Sequence, residues 1–262
     1  MISGAEAGRI GRALESVADW TSELIVVLNE EVRDGTEEIA RRHGAKVFRE
    51  PWKGHIAQKN SAAEKAAGEW LFGLDADETV SPGLRAEIES ALARPTLNER
   101  VAAFSFPRVS WFCGRWIRHG DWYPDRQTRL WRRGRACWGG IDPHDKLMVD
   151  GAVGKLRGEL HHFSAESINR RLQKIIPFSD EFVRQHSDAG RRPGPFDLVG
   201  RPWWRFLRAY VIRRGFLDGW QGYYIASHTA FATLARYAKL CEARQTAAAG
   251  KPAGAGQRGG ET

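Results

Sequence analysis

Two carboxylates one residue apart, Asp75 and Asp77, follow the apolar run Trp70-Leu71-Phe72-Gly73-Leu74 and precede Glu78. Hard oxygen ligands at that spacing can share Mg²⁺ or Mn²⁺ with a diphosphate, whose charge the cation would neutralise as a nucleoside diphosphate departs. The bland alternative is a solvated acidic turn in which Glu78 caps the next helix, and Asp-x-Asp alone is too short to decide. Transfer to a hydroxyl also needs a base. His144 and Asp145 are the candidates, in Gly139-Gly140-Ile141-Asp142-Pro143-His144-Asp145-Lys146, where a Gly-Gly hinge would let backbone approach a ligand. A polar turn bent by Asp142 and Pro143 accounts for the same residues. Arg126, Arg129, Arg132 and Arg133 surround a strand-like segment just after Trp122-Tyr123-Pro124-Asp125, and could grip a phosphate or form a solvated charged face.

The elements that would position these groups are legible as periodicity. Ile10, Ala13, Leu14 and Val17 recur at helical spacing ahead of Leu24-Ile25-Val26-Val27-Leu28, a continuous apolar run typical of a strand buried on both faces. A helix over 34–43, capped by Asp34 or Thr36, and a strand over 45–48 come next. An alanine-rich helix over 58–67, ended by Gly68, leads into the apolar strand before Asp75. Pro82 opens a helix with Leu84, Ile88 and Leu92 on one stripe, and a strand over 101–106 follows. Such alternation implies an α/β fold with a mostly parallel sheet, whose ligand crevice lies beyond the carboxyl ends of the strands. Residues 110–163 read as an irregular lid or acceptor platform, carrying Trp111, Trp116, Trp122, Trp131 and Trp138. From about residue 164 the chain reads as helical, with Trp203, Trp204, Tyr210, Phe216, Trp220 and Tyr223 interleaved with Arg201, Arg205, Arg208, Arg213 and Arg214.

The chain has 262 residues, room for one α/β domain and an extension. Three separated cysteines, Cys113, Cys137 and Cys241, suggest neither a disulfide framework nor a zinc site. No signal peptide is expected, and no run reaches the roughly 18 apolar residues needed to span a bilayer. The net charge of +8 calls for an acidic partner. Arginines set among aromatics favour an anionic membrane surface, and no nucleic acid is expected.

In order along the chain, Leu74-Asp75-Ala76-Asp77-Glu78, the segment Gly114-Arg115-Trp116-Ile117-Arg118-His119-Gly120, Trp122-Tyr123-Pro124-Asp125 and Gly215-Phe216-Leu217-Asp218-Gly219-Trp220 resemble motifs of family 2 glycosyltransferases. Within that family the chain is similar to the lipopolysaccharide-core β-1,4-glucosyltransferases over nearly its whole length. The resemblance implies a GT-A-like fold and an inverting displacement on a nucleotide-sugar donor, such as a UDP-hexose, assisted by Mg²⁺ or Mn²⁺. It implies that Asp75 contacts ribose or metal, that Asp77 ligates the metal, that Gln58 and Asn60 contact the donor, and that Asp145, beside His144, is the base. Trp122, Tyr123, Arg126 and Arg129 fall in the part expected to bind a glycolipid or lipopolysaccharide-core acceptor.

Two features depart from the family pattern. The loop that usually reads Asn-Glu-Glu is Gly4-Ala5-Glu6-Ala7, with Met1 at the end of the matching strand, so that the first strand is expected to be largely absent. The position that usually carries an aspartate to read the base is Asn29, which can still hydrogen-bond to uracil but adds an amide donor. The expected organisation is a catalytic domain over 1–163 (nucleotide-sugar part about 1–107, acceptor part about 108–163), a helical membrane-surface extension over 164–245, and a disordered tail over 246–262. The enzyme is expected in the cytoplasm at the inner face of the membrane. The competing expectation is an inactive basic protein, binding membrane or nucleic acid, on a glycosyltransferase scaffold.

Overall fold

The computed structural model describes residues 1–94, 100–141, 144–163, 167–186 and 193–249. Asp142, Pro143, the side chain of His144 and residues 250–262 of the expected tail lie outside the described residues. The chain divides into two units, one of Met1–Arg118 with Trp122–Ala165, the other of His119–Asp121 with Glu166–Thr262.

The first unit begins with β1 (Ile2–Ser3), α1 (Ile10–Ala18), β2 (Ile25–Asn29), α2 (Thr36–Arg42), β3 (Lys46–Glu50) and α3 (His55–Glu64). The strands β1, β2 and β3 form a parallel sheet, with Ile2 opposite Val27 and Asn29 opposite Glu50. β1 is as short as the sequence implies. Ile10, Ala13, Leu14 and Val17 of α1 are all buried, as their spacing predicts, and Ile10 and Leu14 pack with Val26 of this sheet. α2 starts where Asp34 Oδ1 accepts from the Thr36 amide at 3.1 Å. α3 begins three residues earlier than its alanine-rich stretch suggests.

Next come β4 (Trp70–Phe72), β5 (Glu78–Val80), α4 (Pro82–Leu92), β6 (Val101–Phe112), β7 (Arg115–Ile117), β8 (Asp125–Arg132), β9 (Ala136–Ile141), β10 (His144–Val149), β11 (Ala152–Lys155) and β12 (Leu160–His162). Ser81 caps α4 by accepting from the Leu84 amide at 3.1 Å, and Pro82 takes the first helical position. The second sheet has the order β4-β8-β6-β12-β5, with β7 and β11 also on β6. Its pairing is mixed: β6 runs parallel to β11 and β12 and antiparallel to β7 and β8. The parallel arrangement expected from βα alternation therefore holds for β1 to β3, and after Val101 hairpins replace helical crossovers. Residues 110–163 are accordingly mostly strands rather than an irregular platform; tryptophans and arginines occur on both faces of these strands, buried Trp131 and Arg129 included, and hide the period-two pattern. The β6–β7 turn shows the logic: Cys113 (φ 45°) and Gly114 (φ 83°) form a two-residue loop of the left-handed kind that matches strand twist.

Leu84 and Ile88 of α4, Phe104 and Phe106 of β6, Leu130 and Leu160 form the core beneath this sheet, joined by Ala13 and Val17 of α1. Each fully buried large apolar side chain stabilises the fold by about 1.5–3 kcal/mol. A cavity of about 520 Å³ lies where β1 is short, walled by Leu24, Trp70, Leu71 and Trp131 with Lys59, Asp75 and Arg129 also on its lining.

The second unit contains α5 (Ile168–His186), a wide π-type turn at Phe196–Gly200, α6 (Arg201–Leu207), another π-type turn at Arg208–Ile212 and α7 (Gly219–Ala249). Asp218 accepts from the His119 amide at 2.8 Å, and Asp121 pairs with Arg208 at 2.8 Å and Arg213 at 3.3 Å, which ties His119–Asp121 into this unit. Gly222 permits a close crossing, since a Cβ there would lie 1.8 Å from the Gly215 carbonyl oxygen. α7 continues through Ala249, so residues 246–249, assigned to the tail by composition, are helical. No helix among the described residues is long and apolar enough to cross a membrane.

Candidate active site

β4 delivers Asp75 to the edge of the second sheet. The Gly73 amide donates to the Arg129 carbonyl at 2.7 Å, extending the β4–β8 pairing to the residue before Leu74. A closed turn follows, in which the Glu78 amide donates to the Asp75 carbonyl at 3.0 Å and Glu78 Oε2 accepts from the Asp75 amide at 3.1 Å. Glu78 is fully buried and its other oxygen meets Arg108 Nη1 at 3.0 Å. It is a strut of the acidic turn rather than a ligand group.

Asp75 faces two cations. Its Oδ2 lies 2.9 Å from Arg129 Nη2 and its Oδ1 lies 3.4 Å from Lys59 Nζ. Burial alone would raise the Asp75 pKa, but Arg129 and Lys59 outweigh it and hold the carboxyl well below the usual range. Burial likewise disfavours the Arg129 charge, yet Asp75 and Glu78 overcome it and raise its pKa further. Asp77 points elsewhere: its Oδ2 lies 3.3 Å from His162 Nε2 and 3.8 Å from Arg9 Nη1. Burial pushes the Asp77 carboxyl up and the hydrogen bond from His162 pulls it down, with a net lowering. The Phe163 amide donates to the Asp77 carbonyl at 2.8 Å, locking β12 to this residue.

Lys59 also reaches Asp145 Oδ2 at 2.8 Å, so that one ammonium group bridges Asp75 and a carboxylate 70 residues further along. Asp145 sits on β10 opposite Gly140, which has φ 107° and no side chain to crowd it. Gly139 serves packing instead, since a Cβ there would come within 2.9 Å of Met148 Cγ. Beneath the bridge lies Trp138, buried, with Lys59 Nζ 4.5 Å and Arg129 Cζ 5.2 Å from its ring. Such contacts favour a cation held over an aromatic face.

The structure gives several of the expected site residues partners within the protein. Asn60, expected to contact the donor, donates to the Trp138 carbonyl at 2.9 Å and accepts from its amide at 2.8 Å; both ends of its amide are engaged in clamping β9 to α3. Gln58 is buried; its Oε1 accepts from the Lys53 amide at 3.3 Å, and its Nε2 has no hydrogen-bond partner in the protein. Arg129, grouped by sequence with the acceptor residues, belongs to the acidic cluster. Arg126 donates to the carbonyls of Ser105 at 3.0 Å and Leu156 at 2.7 Å, and thereby staples the second sheet. Tyr123 donates to Glu159 at 3.0 Å, and the Trp122 ring meets Phe112 edge-on at 5.4 Å. Asn29 ends β2, where its Oδ1 accepts from the Glu31 amide at 3.2 Å. Its loop is linked to the acidic turn through Thr36, which accepts from the Glu6 amide at 2.9 Å, and Arg9, which pairs with Glu6 and reaches Asp77.

Lys59, His162 and Trp138 escaped the sequence reading as site residues. Lys59 stood between the two residues singled out on α3, which gave the one available hint. His162 lies on a three-residue strand, too short for periodicity to mark.

As metal ligands, the two aspartates differ. Asp75 has both oxygens turned to cations and fits poorly, whereas Asp77 Oδ2 lies beside His162 Nε2, which could turn from donor to ligand on losing its proton. Among the described residues no group of three or more His, Cys, Asp or Glu side chains could hold a metal ion, so remaining ligands would come from substrate oxygens and water.

Comparison with known proteins bears on what this arrangement is for. The sequence profile described as glycosyl transferase family 2 matches residues 4–150, a span holding Asn29, Lys59, Asp75, Asp77, Arg129 and Asp145. An uncharacterised glycosyltransferase of Rickettsia prowazekii is 31% identical over 255 residues, covering 92% of this chain and 85% of that protein. A lipopolysaccharide core biosynthesis glycosyltransferase of Rhizobium meliloti is 26% identical over 247 residues, covering 89% and 90%. A crystal structure of S. aureus TarS superposes with a TM-score of 0.47 at 13% identity, covering 92% of this chain and 54% of that one, a distant likeness. The family profile and the Rickettsia relative show that this α/β chain is an enzyme that belongs to glycosyl transferase family 2.

Proposed function

We propose that this enzyme transfers a hexose from a nucleotide-sugar donor, UDP-linked in the first instance, to a lipid-linked or lipopolysaccharide-core acceptor with inversion at the anomeric carbon. The observation that carries the reading is the Lys59 bridge, which sets Asp145 one cation away from Asp75 at the end of β4. In the reaction the acceptor hydroxyl oxygen bonds to the anomeric carbon, the bond from that carbon to the diphosphate oxygen breaks, and the hydroxyl proton passes to Asp145. Lys59 and Trp138 position the base, and Arg129 holds Asp75 ionised toward the nucleotide. Asp77 and His162 would hold Mg²⁺ or Mn²⁺, which when bound neutralises charge on the departing diphosphate. Asn29, at the end of β2, faces the base of the nucleotide.

The acceptor class draws support from the Rhizobium relative and from the second unit. Trp203, Trp204, Ile212, Trp220 and Tyr223 are each at least half exposed there, with Arg205, Arg213 and Arg214 among them. Rings at headgroup depth and cations on anionic lipid suit attachment at the inner membrane face.

The test is transfer from a panel of labelled UDP-hexoses onto truncated lipopolysaccharide cores, with the anomeric configuration of the product read by NMR. A β-linked product from an α-linked donor is expected. Retained configuration, or no transfer from any nucleotide sugar, contradicts the proposal.

A further inference from the structure

β12 lies between β5 and β6, and its register sets His162 opposite Glu78 on one side and Ser110 on the other. Glu78 is committed to the acidic turn and to Arg108. Ser110 is the neighbour that meets the ring of His162, with its Oγ 3.3 Å from Nδ1. The other ring nitrogen, Nε2, lies 3.3 Å from Asp77 Oδ2. Side chains from β6, β12 and the loop after β4 therefore form one hydrogen-bonded line, Ser110 to His162 to Asp77. The Phe163 amide, donating to the Asp77 carbonyl at 2.8 Å, keeps β12 in place beside the acidic turn. Backbone sets these distances, and what remains to be set is the tautomer of the ring.

A neutral imidazole carries one N–H and one lone pair, whereas a serine hydroxyl both donates and accepts and turns between the two. With the proton on Nε2, His162 donates to Asp77 and Ser110 donates to Nδ1. With the proton on Nδ1, Ser110 Oγ accepts it, and the Nε2 lone pair is repelled by Asp77 unless a cation stands between them. That second tautomer is the ligand form, and a ligating histidine owes its tautomer to the hydrogen bond at its other nitrogen. Serine serves both forms with no change of backbone. Alanine serves neither, and a fixed carbonyl oxygen serves only the second. The ordinary alternative is a small polar residue paired with its cross-strand neighbour, which would stabilise the sheet and leave cation affinity alone.

We propose that Ser110 is a positioning residue of the donor site: its hydroxyl holds the His162 ring and, by turning from donor to acceptor, lets Nε2 pass from donating to Asp77 to ligating Mg²⁺ or Mn²⁺ beside it. The proposal rests on the reading of Asp77 and His162 as the residues that hold this cation.

The test uses the full chain with UDP and Mn²⁺ as probes, and reads bound Mn²⁺ from the fall of the free-ion electron paramagnetic resonance signal, with no turnover needed. Ser110→Ala should weaken Mn²⁺ binding in the presence of UDP by about tenfold or more, the size usual when a ligating histidine loses its outer partner. Ser110→Thr keeps a hydroxyl on a side chain that suits a strand, and should stay within about threefold of the wild type. In a His162→Ala background, Ser110→Ala should add less than about twofold, since the route through the ring is gone. No loss in Ser110→Ala, an equal loss in Ser110→Thr, or an undiminished loss in the His162→Ala background would overturn the proposal. Mn²⁺ binding that His162→Ala leaves unchanged would overturn the cation assignment and this proposal with it, whereas binding weakened by His162→Ala and not by Ser110→Ala would overturn this proposal alone.

Discussion

In the first unit Lys59, Arg108 and Arg129 each lie against carboxylates, whereas in the second Arg205 and Arg214 are exposed, set among aromatic residues. The apolar side chains differ in the same sense. Those of the first unit fill a core around Phe104, Phe106 and Leu84, while those of α6 and the start of α7 stand exposed. A neutralised, packed cluster holds fixed geometry without a ligand, which is what a reaction centre needs before substrate arrives. Exposed rings set among cations are costly unless something apolar covers them.

The largest effect should come from the base. Asp145→Asn keeps the shape of the Lys59 contact but cannot take a proton, and kcat should fall by about 10²–10⁴-fold with nucleotide affinity retained. An unchanged kcat would move the base elsewhere. Next is the bridge itself. Lys59→Met leaves Asp75 and Asp145 without the ammonium between them, and kcat/KM should fall by about 100-fold, with Lys59→Arg recovering part of it. If Lys59→Met and Lys59→Arg behave alike, the bridge is packing and not electrostatics.

In the second unit, Trp204→Ala with Trp220→Ala should weaken binding to anionic vesicles by about tenfold, roughly 1.4 kcal/mol, while transfer to a soluble acceptor is kept. Loss of soluble transfer instead would assign these rings to catalysis. The smallest effect concerns stability. Glu50 at the end of β3 holds Lys65, Ser61 and Lys53 around α3, and the hydrogen bond from Lys65, helped by Ser61 and Lys53 against the cost of burial, lowers its pKa from 4.5 to about 2. Its contribution is present above pH 4.5 and fades as pH falls toward 2. Glu50→Gln should therefore cost about 1 kcal/mol in urea unfolding at pH 7 and progressively less below pH 4.5. A pH-independent difference would show that the pair contributes nothing electrostatic.

What was legible in the sequence follows the range of the forces involved. α1 and β2 announced themselves because burial of one helical stripe and of a whole strand leaves a periodic record in Ile10, Leu14 and Val26. Asp75 and Asp77 were readable as a site because they follow an apolar strand, and Asp145 through the family pattern. Their different partners were not readable: Lys59, Arg129 and His162 approach from other strands and helices, and local spacing holds no trace of that. Asn60 shows the converse, a residue for which the family pattern implied donor binding while its amide is engaged by the Trp138 backbone. The strands after Ser110 were hidden because tryptophans and arginines occupy both faces of a sheet that is only partly covered.

The most direct test of the central claim is a calorimetric titration of the enzyme with UDP, with and without Mn²⁺, for the wild type, Asp77→Ala and His162→Ala. The account predicts binding that strengthens with Mn²⁺ in the wild type and loses that dependence in both variants. UDP binding indifferent to Mn²⁺, or unchanged in Asp77→Ala, would contradict the assignment of the acidic strand end as the donor and metal site.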